Sequence, residues 1–81
     1  MLIVSRFKKV DGFNTLKAFA DIVLYGKIAI CGIRIIEAEG KLIVKLPDRK
    51  TNKGEWEQIV KVLDMEEYNE ISNKLISLYN A

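Results

Sequence analysis

The chain has 81 residues, 49% hydrophobic and 30% charged, with a net charge of +2, one cysteine and no histidine. It reads as one globular domain, residues 1–81, near the lower size at which a chain folds on its own core, and too apolar for a disordered tail. The missing histidine removes the commonest general base and neutral metal ligand, and the lone Cys31 excludes an internal disulfide.

The N-terminal stretch Met1-Leu2-Ile3-Val4-Ser5-Arg6 does not have the basic-then-apolar order of a secretory signal. Asp21 and Lys27 interrupt the longest apolar stretch before it reaches bilayer length. A cytoplasmic chain with no membrane partner is therefore expected. From Leu2 to Val10 apolar and polar residues alternate weakly, which predicts a first strand ending in an Asp11-Gly12 turn. From Lys17 to Tyr25 the even positions Ala18, Ala20, Ile22 and Leu24 are all apolar, the period-2 signature of a strand with one core face. Gly26 permits a tight return, and Ile28 and Ile30 continue the even set. At Gly32 the phase slips to Ile33 and Ile35, which predicts a β-bulge or bend. Leu42, Val44 and Leu46 form the next core row, and Pro47, which has no N–H to donate, should end that strand. After an Asn52-Lys53-Gly54 turn, Trp56, Val60 and Val62 share one face of a last strand, with Trp56 expected to pack beneath a helix.

That helix is predicted by a change of period. Asp64 followed by Glu67 is a capping-box-like start, and Tyr68, Ile71, Leu75, Leu78 and Tyr79 recur at helical spacing. The fold class is therefore α+β: a small antiparallel sheet of about five strands with one C-terminal amphipathic helix. One helix covers one face of such a sheet. The other face carries Phe7, Phe19, Val23, Tyr25, Ala29 and Ile43, an apolar surface that predicts a partner, most simply a second copy in a homodimer.

Charge is unevenly spread. Residues 1–63 carry twelve Lys/Arg against seven Asp/Glu, whereas residues 64–81 carry one Lys against four acids. Cys31 has no histidine to activate it and lies in an apolar run, which reads as a buried core thiol. Glu55 and Glu57 share a strand face, and Asp48 lies near them across the connection. With no nucleophile or oxyanion site beside them, they read as solvated carboxylates. The glycines are scattered one per turn and form no phosphate loop. No enzyme, cofactor or small-molecule substrate is expected. What remains is a basic set: Lys41 and Lys45 on one strand, Arg49, Lys50 and Lys53 in the following loop with the Thr51 hydroxyl among them, and Lys61 beyond. Strand pairing would bring Lys45 and Lys61 together, and such a cluster suits phosphate contact. It also suits a solvated sheet edge kept charged against aggregation.

The order Ile33-Arg34, Ile36-Glu37, Gly40, Leu42, Val44, Pro47, Arg49-Lys50-Thr51, Gly54-Glu55 and Ile59 resembles the stage V sporulation protein G (SpoVG) family, with collinear spacing over nearly the whole chain. The resemblance implies a small antiparallel sheet with a C-terminal helix, a homodimer, and binding to DNA and RNA in gene regulation tied to division or sporulation. It places Arg49, Lys50 and Thr51 at the family's basic nucleic-acid-contacting positions, and Arg34 also matches. Three departures are visible. Asn52-Lys53 stands where the family has Pro-Asp before the glycine, Val60-Lys61-Val62 replaces Ala-His-Pro, and the helix is acidic where relatives often carry arginine. The expected site is thus Arg34, Lys45, Arg49, Lys50, Thr51 and Lys53. The competing expectation is a protein–protein adaptor working through the apolar sheet face, with the basic loop incidental.

Overall fold

In a computed structural model, residues 1–10 and 15–81 are described; the Asp11-Gly12 turn lies outside them. Strands β1 (Leu2–Lys9), β2 (Leu16–Leu24), β3 (Ile28–Ala38) and β4 (Lys41–Lys45) form an antiparallel meander in chain order. Strands β5 (Asp48–Lys50) and β6 (Trp56–Gln58) pair only with each other, and helix α1 (Met65–Asn80) closes the fold. The class is α+β, but the sheet has four strands and the basic segment is a separate two-stranded ribbon.

The period-2 rows become the core. Ala18, Ala20, Ile22 and Leu24 of β2 lie beside Ile30, Ile33 and Ile35 of β3 and Val44 of β4, all buried, with Ile71 and Leu75 of α1 laid on them. Ile22, Ile33, Ile35, Ile71 and Leu75 are the largest fully buried side chains, and each contributes on the order of 2 kcal/mol by leaving water. The helix starts where Asp64 caps it, its Oδ1 accepting from the N–H groups of Glu66 (2.8 Å) and Glu67 (3.4 Å).

Turn chemistry sets the registers. Tyr25-Gly26 joins β2 to β3, with Lys27 N–H donating to the Leu24 carbonyl (3.0 Å), and Glu39-Gly40 joins β3 to β4. Both central residues of each pair have positive φ, near 57° and 65° and near 54° and 78°. This left-handed geometry matches the right-handed twist of the flanking strands.

Four expectations change. Cys31 is exposed, not a buried core thiol. Cys31 and Gly32 together stand opposite Asp21 in the bulge between Ile30 and Ile33, and Cys31 falls on the face away from the helix. Phe7 moves the opposite way: a bulge between Val4 and Arg6 turns it onto the helix-covered side, where it packs against the core. Lys9 follows it and lies 4.9 Å from the ring centroid of Tyr79 on α1. Trp56 does not pack beneath the helix; it is 64% exposed on the ribbon. Finally, Val60 and Val62 lie in irregular chain and pack from its side against the core. Among the described residues no fifth strand joins β4, where the Val44 carbonyl accepts instead from the Tyr68 hydroxyl of α1 (2.6 Å).

Candidate nucleic-acid interface

The ribbon leaves the sheet at Pro47, whose carbonyl accepts from the N–H groups of Ile59 (3.0 Å) and Val60 (3.3 Å) and so closes the ribbon's base. Its strands pair Asp48 with Gln58, Arg49 with Glu57 and Lys50 with Trp56. At the tip, Gly54 N–H donates to the Thr51 carbonyl (3.0 Å) and Thr51 N–H to the Glu55 carbonyl (2.7 Å). Gly54 has φ +82°, a conformation that favours glycine in a bulged hairpin turn. The Thr51 hydroxyl oxygen accepts from Glu55 N–H (3.2 Å), and its own O–H can still donate.

Arg34 ties the ribbon to the sheet. The Arg34 guanidinium of β3 forms an ion pair and hydrogen bond with Asp48 of β5; their side chains are 30% and 12% exposed. The same guanidinium lies 5.9 Å from the Trp56 ring centroid, close enough for cation–π attraction. Arg34 therefore has both charge partner and aromatic partner within the chain, and its first role is to position the ribbon.

The other expected residues divide into two groups. Arg49, Lys50 and Thr51 line a hollow of about 240 Å³ at the tip together with Asn52 and Glu57. Lys53 is exposed at the turn beside them. Residues 49–54 hold three cations and no acid, while Glu55 and Glu57 lie on the returning side. Arg49 reaches Glu57 at 3.6 Å, but both are more than half exposed, so that pair holds the guanidinium only weakly. Lys45 and Lys61 line a second cavity of about 420 Å³ between β4, the 58–63 segment and the start of α1. They share this cavity without strand pairing, since the partner of Lys45 in the sheet is Arg34. The carboxylates Asp48 and Glu55 are not a pair: Asp48 is engaged by Arg34, and Glu55 belongs to the tip turn.

Lys8 of β1, Phe19 of β2, Arg34 of β3 and Lys45 of β4 are consecutive register partners across the whole sheet. Phe19 is 40% exposed while its neighbours Ala18 and Ala20 are buried against the helix, so this row lies on the uncovered face. Only the pairing register, which no single segment carries, puts these four in line.

Comparison with known proteins identifies the family. The SpoVG family model matches residues 1–81. The chain belongs to the SpoVG family. It is 32% identical over 78 residues to a relative from Fusobacterium nucleatum, covering 94% of this chain and 84% of the relative. It is 27% identical over 74 residues to one from Clostridium botulinum (strain Alaska E43 / Type E3), covering 91% and 81%. A relative from Onion yellows phytoplasma is 28% identical over 74 residues, covering 91% and 75%. All three are named as SpoVG septation proteins. Among the described residues no helix is long and apolar enough to cross a membrane.

Proposed function

We propose that this SpoVG-family chain is a non-enzymatic, cytoplasmic regulator that binds nucleic-acid phosphates through the tip of the β5–β6 ribbon and acts as a homodimer. The observation that carries the reading is the tip itself. Arg49 and Lys50 at the end of β5 and Lys53 in the adjoining turn are exposed together on one hairpin, whose tip is held by three hydrogen bonds, with the Thr51 hydroxyl among the cations. Cations on a short, braced turn contact successive phosphates without first ordering a loop. Lys45 and Lys61 extend the positive surface toward the sheet. Assembly is supported by the apolar end of the uncovered face, where Ile3 pairs with Val23 and Val23 with Ala29, and Ile3 is 49% exposed.

The test is fluorescence anisotropy against two unrelated DNA duplexes and an RNA at two salt concentrations, with the mass read by light scattering. Substituting Arg49, Lys50 and Lys53 together with alanine should weaken binding by a similar factor on every sequence. It should flatten the log–log salt slope on duplex DNA by roughly one unit per lost contact. These side chains are exposed, so folding stability should stay within about 0.5 kcal/mol. Unchanged affinity and slope in a folded triple variant would remove the ribbon from the mechanism. The adaptor reading, in which the uncovered face docks another protein, would then be favoured, because an apolar contact barely responds to salt.

A further inference from the structure

The uncovered face of the sheet is not uniform. Toward the β2–β3 turn it is apolar, with Ile3, Val23 and Ala29 in register. Beyond it run Lys8, Phe19, Arg34 and Lys45, an aromatic ring with cations on the neighbouring strands, and past this row the face is apolar again at Ile36 and Ile43. Between these two regions lies a hollow of about 440 Å³, lined by Arg6, Lys8, Phe19, Asp21, Cys31 and Gly32. Its volume falls in the range of clefts that take small ring ligands, about 300–1,000 Å³.

Two bulges make this hollow, and they fall at one level. β1 slips between Val4 and Arg6, and β2 and β3 slip between Ala20 and Ile22, so the irregularities flank Asp21 on both sides. Asp21 braces both. Its carboxylate accepts from Gly32 N–H (2.9 Å), and its carbonyl accepts from the Ser5 hydroxyl (3.3 Å). Gly32 has φ +79° with nothing within 4 Å of where a Cβ would stand, so the backbone conformation, not lack of room, calls for glycine. Bulges that re-aim side chains beside a site are a recurrent device. Here they open the sheet next to an exposed ring.

We propose that this row of the uncovered face is a stacking platform for single-stranded nucleic acid, with an unpaired base seated on Phe19 and its phosphates on Lys8 and Lys45. Three observations converge. Phe19 presents a ring to solvent from the middle of a rigid sheet. Cations stand on both sides of it in register, as a polyanion requires. Trp56, on the far side of Arg34, supplies a second exposed ring leading from the sheet to the ribbon tip. Bases in a duplex keep their faces stacked on one another, so only a single strand, loop or bulge can use these rings. The carboxylate of Asp21 is committed to Gly32, which leaves the phosphates to the lysine-bearing strands. The platform deepens the nucleic-acid reading above and rests on it. The ribbon supplies phosphate affinity, and the face supplies preference for unpaired bases.

The experiment compares a single-stranded RNA or DNA of about a dozen nucleotides with a duplex of equal length, for the parent, Phe19→Leu, Phe19→Trp and the ribbon triple-alanine variant. Phe19→Leu should lower single-strand affinity roughly 5- to 100-fold, the span of one base–aromatic stack. Duplex affinity should stay within about twofold and the salt slope should not change, since no phosphate contact is lost. Phe19→Trp should restore single-strand binding, which a merely apolar filler would not require. Equal single-strand affinity for parent and Phe19→Leu overturns the platform, and persistent ribbon-dependent duplex binding would show that the phosphate reading survives it. An equal loss on both ligands also overturns it. So does conversion of a dimer to a monomer with single-strand affinity intact, which would assign the face to a second copy. If the parent binds no nucleic acid, both readings fall together.

Discussion

Replacing Arg34 with alanine strips Asp48 of its ion-pair partner at a place where the carboxylate is only 12% exposed, and it removes the cation from the Trp56 ring. Fully exposed pairs contribute about 0–1 kcal/mol, whereas breaking a buried pair costs about 3–5 kcal/mol. With exposures of 30% and 12%, this pair lies between those limits, so a loss of about 2 kcal/mol is expected from the stranded carboxylate. The cation–π contact adds about 0.5–1 kcal/mol. Against a total on the order of 4–12 kcal/mol for a domain of this size, the effect is large. Asp48→Ala removes the stranded charge itself, so the Arg34→Ala/Asp48→Ala variant should be less destabilised than the sum of the two single variants. The coupling should be roughly 1–2 kcal/mol. Arg34→Lys should rescue little, because an ammonium lacks the planar fork that faces carboxylate and ring together. Urea denaturation followed by far-UV circular dichroism reads the sheet. The emission of Trp56, the single tryptophan, reads the ribbon. A coupling energy below about 0.3 kcal/mol, with Trp56 emission unmoved in Arg34→Ala, would refute the claim that this contact holds the ribbon on the sheet.

Two further outcomes follow from the turns. Glu39 sits at φ 54° in the β3–β4 turn, a region that costs an ordinary side chain about 1–2 kcal/mol and asparagine less. Glu39→Asn should therefore raise the thermal midpoint, with a gain of about 0.5–1 kcal/mol, and a fall in the midpoint would contradict the turn geometry. Tyr25, in the β2–β3 turn, has its phenol pKa raised above 10.0, first by hydrogen bonding to Glu67 and then by desolvation and the charges of Glu67, Glu70 and Asp64. The folded state thus favours the neutral phenol, so the stability this contact gives is complete below 10.0 and is lost as pH rises through the folded value. Glu67→Gln should bring the Tyr25 titration back toward 10.0 in an alkaline absorbance titration, assigned with Tyr25→Phe, and an unmoved titration would separate the turn from the helix start.

The core was legible because apolar alternation in β2, β3 and β4 is nearly unbroken, and burial on one face leaves little choice of register. The Gly32 bulge was legible too, since parity slips there. The same parity, followed one residue further, would have exposed Cys31, which is out of phase with Ile30. The β1 bulge near Ser5 had no such mark: no glycine stands there and the alternation of Leu2–Val10 is weak, so Phe7 was assigned to the wrong face. The fifth strand failed for a different reason. Trp56, Val60 and Val62 alternate on paper, but the segment's fate depends on contacts far along the chain. Arg34 holds Asp48, and Tyr68 takes the Val44 carbonyl, which leaves Trp56–Gln58 as a three-residue partner for β5 alone. The tip cations Arg49, Lys50 and Lys53 were legible as a group because they are adjacent. The Lys8–Phe19–Arg34–Lys45 row was not, because it exists only in the pairing.

The placement of α1 also explains why a small net charge need not mean a weak field. The helix carries Glu66, Glu67 and Glu70 with Lys74 as its one cation, and it lies on the covered face of the sheet. Lys8, Lys45 and the exposed Arg6 belong to the other face, and the ribbon tip adds three more cations beyond the sheet. Charges that nearly cancel in sum are thus separated by the thickness of an apolar core, which screens them far less than water does. An approaching polyanion meets repulsion on the helix side and attraction on the uncovered face and tip, so the molecule has one favoured side of approach. The acidic helix therefore strengthens this polarity: it moves the negative charge to the one face that the core already closes.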